Sequence, residues 1–192
     1  MQKTAVLILA AGSSSRMGNP KQLLPYKNTT LLGNAIEQAQ KSNTNAVFCV
    51  LGANAEIIKK SIEKNPIETI YNPNYKDGLS SSIVTGIDYL SDKNFDAVLI
   101  LLADQPKITS SFLNQLLKTS EENPSKIIAC NYDKNIGVPA IFPKKYFVEL
   151  LKLKGDKGAK EIINNHSSEI IKMASFNLID IDTKEDYKNL IK

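Results

Sequence analysis

Residues 6–21 constrain the fold of this chain more than any other stretch. They begin as an unbroken apolar run, Val6, Leu7, Ile8, Leu9, Ala10 and Ala11. They pass without transition into a small-residue loop that carries Arg16 and ends at Lys21. An apolar run with no polar alternation is buried on both faces, as in a central parallel strand. The loop then lies at the carboxyl end of that strand, where open α/β sheets bind ligands. Gly12 and Gly18 allow close backbone approach, and successive N–H groups can cradle anionic oxygens. Arg16 and Lys21 supply the charge a polyphosphate needs. The loop is not a P-loop, because five residues separate Gly12 from Gly18 and Asn19 and Pro20 precede the lysine. It also lacks the G-x-G-x-x-G dinucleotide fingerprint.

The pattern repeats along the chain. Residues 4–10, 46–51, 67–71, 97–102 and 126–130 read as strands, and 137–142 and 169–173 as further ones. Between them, apolar residues recur at helical spacing: Leu31, Leu32, Ala35, Ile36 and Ala39; Ile57, Ile58 and Ile62; Ile83, Ile87 and Leu90; Phe112, Leu113, Leu116 and Leu117. Later helical faces are Tyr146, Phe147, Leu150 and Leu151, then Ala159, Ile162 and Ile163. Strands alternating with helices predict an α/β doubly wound, mostly parallel sheet. Residues 131–135 are polar and read as a turn. Thr109 is placed to cap a helix, and Ser80, Ser81 and Ser82 can cap another. In residues 178–182 the aspartates alternate with apolar residues, which puts Asp180 and Asp182 on one face of a strand. Thr183 with Asp186 forms a capping box. His166, the single histidine, stands in a polar stretch and reads as an exposed loop residue.

Composition excludes several classes. A chain of 192 residues can bury one sizeable core, and no repeat or linker divides it, so one domain over residues 1–192 is expected. A net charge of +4, interspersed rather than blocked, suits an anionic small molecule and is no nucleic-acid stripe. Cys49 and Cys130 lie in or beside apolar runs without metal spacing, so buried free thiols and a reducing, cytoplasmic setting are expected. Neither a signal peptide nor a membrane span is expected.

Several motifs then share one resemblance. L-A-A-G-x-S-x-R-M-G-x-x-K, from Leu9 on, resembles the signature loop of MobA-like nucleotidyltransferases of the molybdenum cofactor cytidylyltransferase (MocA-like) type. Gly78, Leu79 and Ser82 resemble the G-[LM]-x-x-S stretch of that family, and Ala103, Asp104, Gln105 and Pro106 its metal-binding element. Gly137, Pro139 and Phe142 match G-x-P-x-x-F, with Val138 where the family usually has His. Residues 155–160 match G-D-x-G-A-R, with Lys160 for the Arg, which keeps the charge and loses the bidentate fork. Residues 182–186 match D-T-x-E-D.

The resemblance implies a Rossmann-like three-layer sandwich of the nucleotide-diphospho-sugar transferase type. It implies transfer of CMP from CTP to molybdopterin cofactor with pyrophosphate release. In that reading the N–H groups of Gly12, Ser13, Ser14 and Ser15, with Arg16, hold the β- and γ-phosphates, and Lys21 serves the α-phosphate. Ala10, Ala11, Gly78, Ser80, Ser81 and Ser82 meet the base and ribose. Asp104 and Asp182, with Asp180 as the alternative, hold Mg²⁺, for which Mn²⁺ is a substitute. Gly137, Pro139, Asp156 and Lys160 meet the acceptor, within roughly residues 130–175. A transient contact with a molybdenum hydroxylase also follows, and neither nucleic acid nor membrane is a partner. The competing readings are a guanylyl transferase on the same acceptor, a cytidylyltransferase acting on a sugar or polyol phosphate, and a non-catalytic cofactor carrier. Ala11, where the guanylyl branch usually has Gly, and the A-D-Q-P run favour cytidylyl transfer.

Overall fold

In the computed structural model, residues 2–14, 17–132, 135–174 and 178–192 are described, Asn135 for its backbone alone. The strands are β1 (Thr4–Leu9), β2 (Pro25–Tyr26), β3 (Thr29–Thr30), β4 (Ala46–Leu51), β5 (Glu68–Tyr71), β6 (Ala97–Leu102), β7 (Ile127–Tyr132), β8 (Asn135–Pro143) and β9 (Ile170–Ala174). The helices are α1 (Leu31–Gln40), α2 (Ala55–Ser61), α3 (Leu79–Ser91), α4 (Ser110–Glu122), α5 (Phe147–Leu150), α6 (Lys160–Asn165) and α7 (Lys184–Leu190). Seven strands form one sheet in the order β5-β4-β1-β6-β8-β7-β9. β1 pairs in parallel with both β4 and β6, whereas β8 is antiparallel to both of its neighbours. β2 and β3 make a separate small ribbon.

β1 shows why its run is continuous. Ala5, Leu7 and Leu9 face one side of the sheet and pack with Ile83 and Ile87 of α3. Val6 and Ile8 face the other, with Leu32 and Ile36 of α1 and Leu113 and Leu116 of α4. Every residue of β1 is buried. Helices on both faces of a mostly parallel sheet make the expected three-layer α/β sandwich. No helix among the described residues is long and apolar enough to cross a membrane.

Some local expectations change. Ile57 does not share the buried face of α2; it is exposed, and Ile58 and Ile62 alone turn inward. Residues 131–135 are not simply a turn: Asn131 and Tyr132 end β7 and pair with β8 across a hairpin. The tip at Asp133 and Lys134 lies outside the described residues. Ser80, Ser81 and Ser82 do not cap α3, whose N-cap is Gly78 without a side-chain hydrogen bond. Residues 178–182 join no sheet; Ile181 instead donates its N–H to the carbonyl of Asp104 at 3.0 Å. His166 is not a free loop residue. Its ring packs edge-on against Tyr146, and Nε2 lies 2.8 Å from Glu149. The capping box of Thr183 and Asp186 forms as read.

Candidate active site

The carboxyl ends of β1 and β6 adjoin, because Leu9 pairs with Leu102. The loops that leave them therefore share one wall of a cavity of about 650 Å³. Ala10, Ala11, Gly12, Ser13 and Lys21 line it from the first loop, and Asp104 lines it from the second. Gly78 and Ser82 line it from the start of α3, and Asp182 from the segment before α7. Asp156, expected beside the acceptor, lies on this larger cavity.

The first loop is held from within. Gln22 is 2% exposed, and its Nε2 donates to the carbonyls of Ala10 and Gly12, each at 2.9 Å. Ser14 adopts φ +54°. Its hydroxyl accepts from the Lys21 N–H at 3.0 Å and lies 3.3 Å from Gln22 Oε1. The Ser14 hydroxyl is thus used in shaping the loop. Ser15 and Arg16 lie outside the described residues.

The three serines of α3 divide their work. Ser80 is fully buried, and its hydroxyl accepts from the N–H of Gly158 at 3.2 Å. The Ser80 N–H in turn donates to the carbonyl of Gly155. Ser81 and Ser82 both accept from the side-chain amide of the buried Asn72. Only Ser82 of the three reaches the cavity. Gly78, at φ +94°, sits where a Cβ would collide with Asp156 Oδ1 and stand 2.7 Å from the backbone of Gly155. The residue 155–158 turn is thereby seated on the start of α3.

The charged centre is Lys21. Its ammonium donates to Oδ2 of Asp104 and, at 2.9 Å, to Oδ1 of Asp182. The Asp104 and Lys21 side chains are 13% and 18% exposed, and that of Asp182 is 43% exposed. Burial works against the charge on Lys21. The field and hydrogen bond of Asp104, joined by Asp182, outweigh it and hold the ammonium above its ordinary value. At Asp104 burial is the dominant influence and raises the carboxyl; Lys21 pulls it back, and Asp180 and Asp182 add to the rise. The pair is asymmetric because Asp104 is the deeper group and faces two more carboxylates.

Asp104 Oδ1 is buried and has no hydrogen-bond partner among the described residues. Two carboxylates that converge on one cation, one with an orphaned oxygen, fit a hard divalent metal that takes its remaining ligands from phosphates and water. No cluster of three or more acidic, His or Cys ligands occurs among the described residues. Asp180 adds its charge to this centre without bonding to Lys21. It accepts from Gln105 Nε2 at 2.9 Å in a second, smaller cavity.

That second cavity, about 280 Å³, adjoins the first through Leu9, Leu79 and Leu102, which line both. Gly137 and Lys160 of the expected acceptor set line it; Pro139 is buried in β8 and does not. Gln105, Tyr132 and Val138 complete its polar and apolar wall. Sequence reasoning passes over Gln22, Tyr75 and Lys76 of the larger cavity altogether. A glutamine or tyrosine in a loop carries no periodicity that would single it out.

Residues 6–170 match the model of the MobA-like NTP transferase domain. The chain belongs to the MobA-like NTP transferase family. Among known proteins, this transferase is 32% identical over 127 residues to nicotine blue oxidoreductase of Paenarthrobacter nicotinovorans, covering 66% of the chain. The match spans 60% of the length of that relative. It is 27% identical to the purine catabolism protein PucB of Bacillus subtilis (strain 168), over 94% of the chain and 92% of PucB. The fold matches the crystal structure of Rv0371c from Mycobacterium tuberculosis H37Rv with a TM-score of 0.88 and 26% identity, covering 98% of this chain and 97% of that one. A second structure of Rv0371c is a complex with manganese, at a TM-score of 0.83 and 25% identity, covering 99% and 98% of the two chains.

Proposed function

We propose that this nucleotidyltransferase moves CMP from CTP to a molybdopterin-type cofactor and releases pyrophosphate. The observation that carries the reading is the convergence of Lys21, Asp104 and Asp182 beside the small-residue loop, on a cavity of about 650 Å³. That volume is within the range of small-molecule sites. The chemistry needs an acceptor phosphate to approach an α-phosphorus already ringed by negative oxygens, so alignment and charge neutralisation dominate.

In this reading the loop N–H groups of Gly12, Ser13 and Ser14, with Ser15 and Arg16, hold the outer phosphates. Lys21 faces the α-phosphate and offsets the charge that grows as the new bond forms. Asp104 and Asp182 would hold Mg²⁺ or Mn²⁺, which neutralises the phosphate oxygens when bound. The manganese complex of Rv0371c supports divalent-metal use by a protein of this fold. Ala10, Ala11 and the start of α3 meet the nucleoside, and the smaller cavity takes the acceptor. No general base is required, because a phosphate acceptor is ionised at neutral pH.

The oxidoreductase named among the relatives favours one second reading, a redox role on a heterocyclic substrate. A lysine shared by two carboxylates beside a glycine- and serine-containing loop serves phosphoryl chemistry better than hydride transfer. One assay separates the readings. Pyrophosphate release is measured with each NTP and divalent metal, with and without molybdopterin, alongside oxidation of a reduced nicotinamide nucleotide. CTP with molybdopterin is expected to give pyrophosphate. Release with GTP alone moves the reading to guanylyl transfer, and no release with any NTP overturns it.

A further inference from the structure

Three carboxylates line the larger cavity: Asp104, Asp156 and Asp182. Asp104 and Asp182 share Lys21. Asp156 is exposed on the cavity wall and has no hydrogen-bond or ion-pair partner among the described residues.

Its place is nevertheless fixed. Residues 155–158 turn through Gly155 at φ +70° and Gly158 at φ +58°, and the turn is tied to the start of α3 at both ends. The Ser80 N–H donates to the carbonyl of Gly155 at 3.0 Å, and the Gly158 N–H donates to the buried Ser80 hydroxyl at 3.2 Å. Between the two ties, Asp156 Oδ1 lies against Gly78, where a Cβ would stand only 2.3 Å from it. The bare Cα of Gly78 leaves room for the carboxylate beside α3, on the cavity wall. Lys157, the next residue, lines the smaller cavity instead.

Charge decides which part of a ligand this group can meet. An ionised carboxylate only accepts hydrogen bonds. A polyphosphate offers it acceptors and like charge, so the two repel. The donors of a nucleoside triphosphate are its ribose hydroxyls and the exocyclic amine of its base. Dinucleotide-binding sheets place a carboxylate in that manner, accepting from the ribose 2′-hydroxyl. In the reading above the phosphates lie beside Lys21 and the first loop, and the start of α3, on which Asp156 is seated, meets the nucleoside.

We propose that Asp156 recognises the nucleoside and not the acceptor, its carboxylate accepting a hydrogen bond from the ribose 2′-hydroxyl or from the exocyclic amine of the base. The assignment rests on the larger cavity being the nucleotide site. It moves the acidic residue of the 155–160 turn from one substrate to the other, and leaves Lys157 and Lys160 as the charged groups of that turn on the smaller cavity.

Equilibrium binding tests this without turnover. CTP, UTP and 2′-deoxy-CTP are titrated by calorimetry into the full chain with Mg²⁺ and no acceptor. UTP carries a carbonyl where CTP carries its amine, and 2′-deoxy-CTP lacks the hydroxyl. The wild type is expected to bind CTP at least about tenfold more tightly than one of the two, the scale of a hydrogen bond to a charged group. A preference over UTP assigns the bond to the base, and a preference over 2′-deoxy-CTP assigns it to the ribose. Asp156→Ala is expected to bind CTP and that analogue equally. The ratio is the readout, because removing a negative charge near a polyanion raises the affinity for all three alike, whatever the carboxylate contacts. The ties that hold the turn run through backbone and Ser80, so the fold does not depend on the Asp156 side chain. If the wild type binds all three equally, or if Asp156→Ala keeps the wild-type ratio, the assignment fails while the nucleotide site stands. If none of the three binds, the reading of the larger cavity fails and the assignment with it.

Discussion

Lys21 pairs with Asp104 and Asp182 at once, one positive charge shared by two carboxylates. Removing it leaves two carboxylates facing one another, which strengthens their demand for a divalent cation while stripping charge from the reacting phosphate. Lys21→Ala is expected to lower kcat by about 10²–10³, the scale of one lost transition-state donor. NTP affinity should change far less; an unaltered kcat in steady-state assays would take Lys21 out of the mechanism. Asp104→Asn keeps the shape of the side chain and loses the charge, so metal-dependent pyrophosphate release is expected to vanish. Activity that still titrates with Mg²⁺ would show that the ion is held elsewhere. Both residues are legible in the amino-acid sequence, since a cation after a glycine loop and a carboxylate at the end of an apolar strand each imply a charge facing a ligand. Gln22 is not legible there. It acts through two backbone carbonyls that only the folded loop brings together. Gln105 is visible as part of a motif, but its orphaned oxygen depends on β7, β8 and Asp180 arriving from distant parts of the chain.

Elements place these side chains through close contacts that leave no slack. Gly52, just after β4, sits where a Cβ would meet Tyr75 Cβ at 2.5 Å and the Ala11 carbonyl at 2.9 Å. Backbone and Cβ atoms cannot swing aside as a side-chain tip can. Gly52→Ala is expected to cost about 1–3 kcal/mol in denaturant unfolding and to raise the NTP KM, because the strain falls on the nucleotide loop. Equal KM values would mean that Tyr75 gives way and the loop does not. At the other end, the capping box of α7 also holds the segment that carries Asp182: Asp186 Oδ2 accepts from the N–H of Asp182 at 3.1 Å and of Thr183 at 2.7 Å. Thr183→Ala is expected to lose about 1 kcal/mol of stability and to weaken divalent-ion affinity, read by titration calorimetry. An unchanged ion affinity would separate the cap from the metal carboxylate. Strand positions are legible from apolar runs, because burial on both faces needs no knowledge of the neighbours. Strand direction is not: nothing in residues 137–142 marks β8 as the one antiparallel to β6 and β7. Alternation suggests one shared face for Asp180 and Asp182, yet residues 178–182 pair with no strand, and the two aspartates serve different cavities.

At the scale of the whole molecule, one layer covers both halves of the sheet. Cys49 on β4 and Cys130 on β7 lie far apart in the strand order, yet both belong to the apolar cluster beneath α1, α2 and α4. Both thiols are free and fully buried, and burial pushes each from 9.0 up to about 12. At pH 8 a thiol of that kind is ionised in about one molecule in 10⁴, so modification requires the layer to open. The same shift carries a sign: above pH 9 the unfolded chain releases protons that the folded chain keeps, so stability falls as pH rises from 9 toward 12. With a thiol-specific disulfide reagent at pH 8, the native protein is expected to react negligibly while the urea-unfolded chain releases two equivalents, one for each cysteine. Mass spectrometry of partly labelled native protein then gives the rate at each site. Because one continuous cluster covers both, equal rates are expected, and Mg²⁺ with NTP should slow both together if binding stabilises the closed fold as a unit. Faster labelling of Cys130 would show that the strands around the smaller cavity open on their own. The strands β7, β8 and β9 would then be a separable folding unit docked on the parallel half of the sheet.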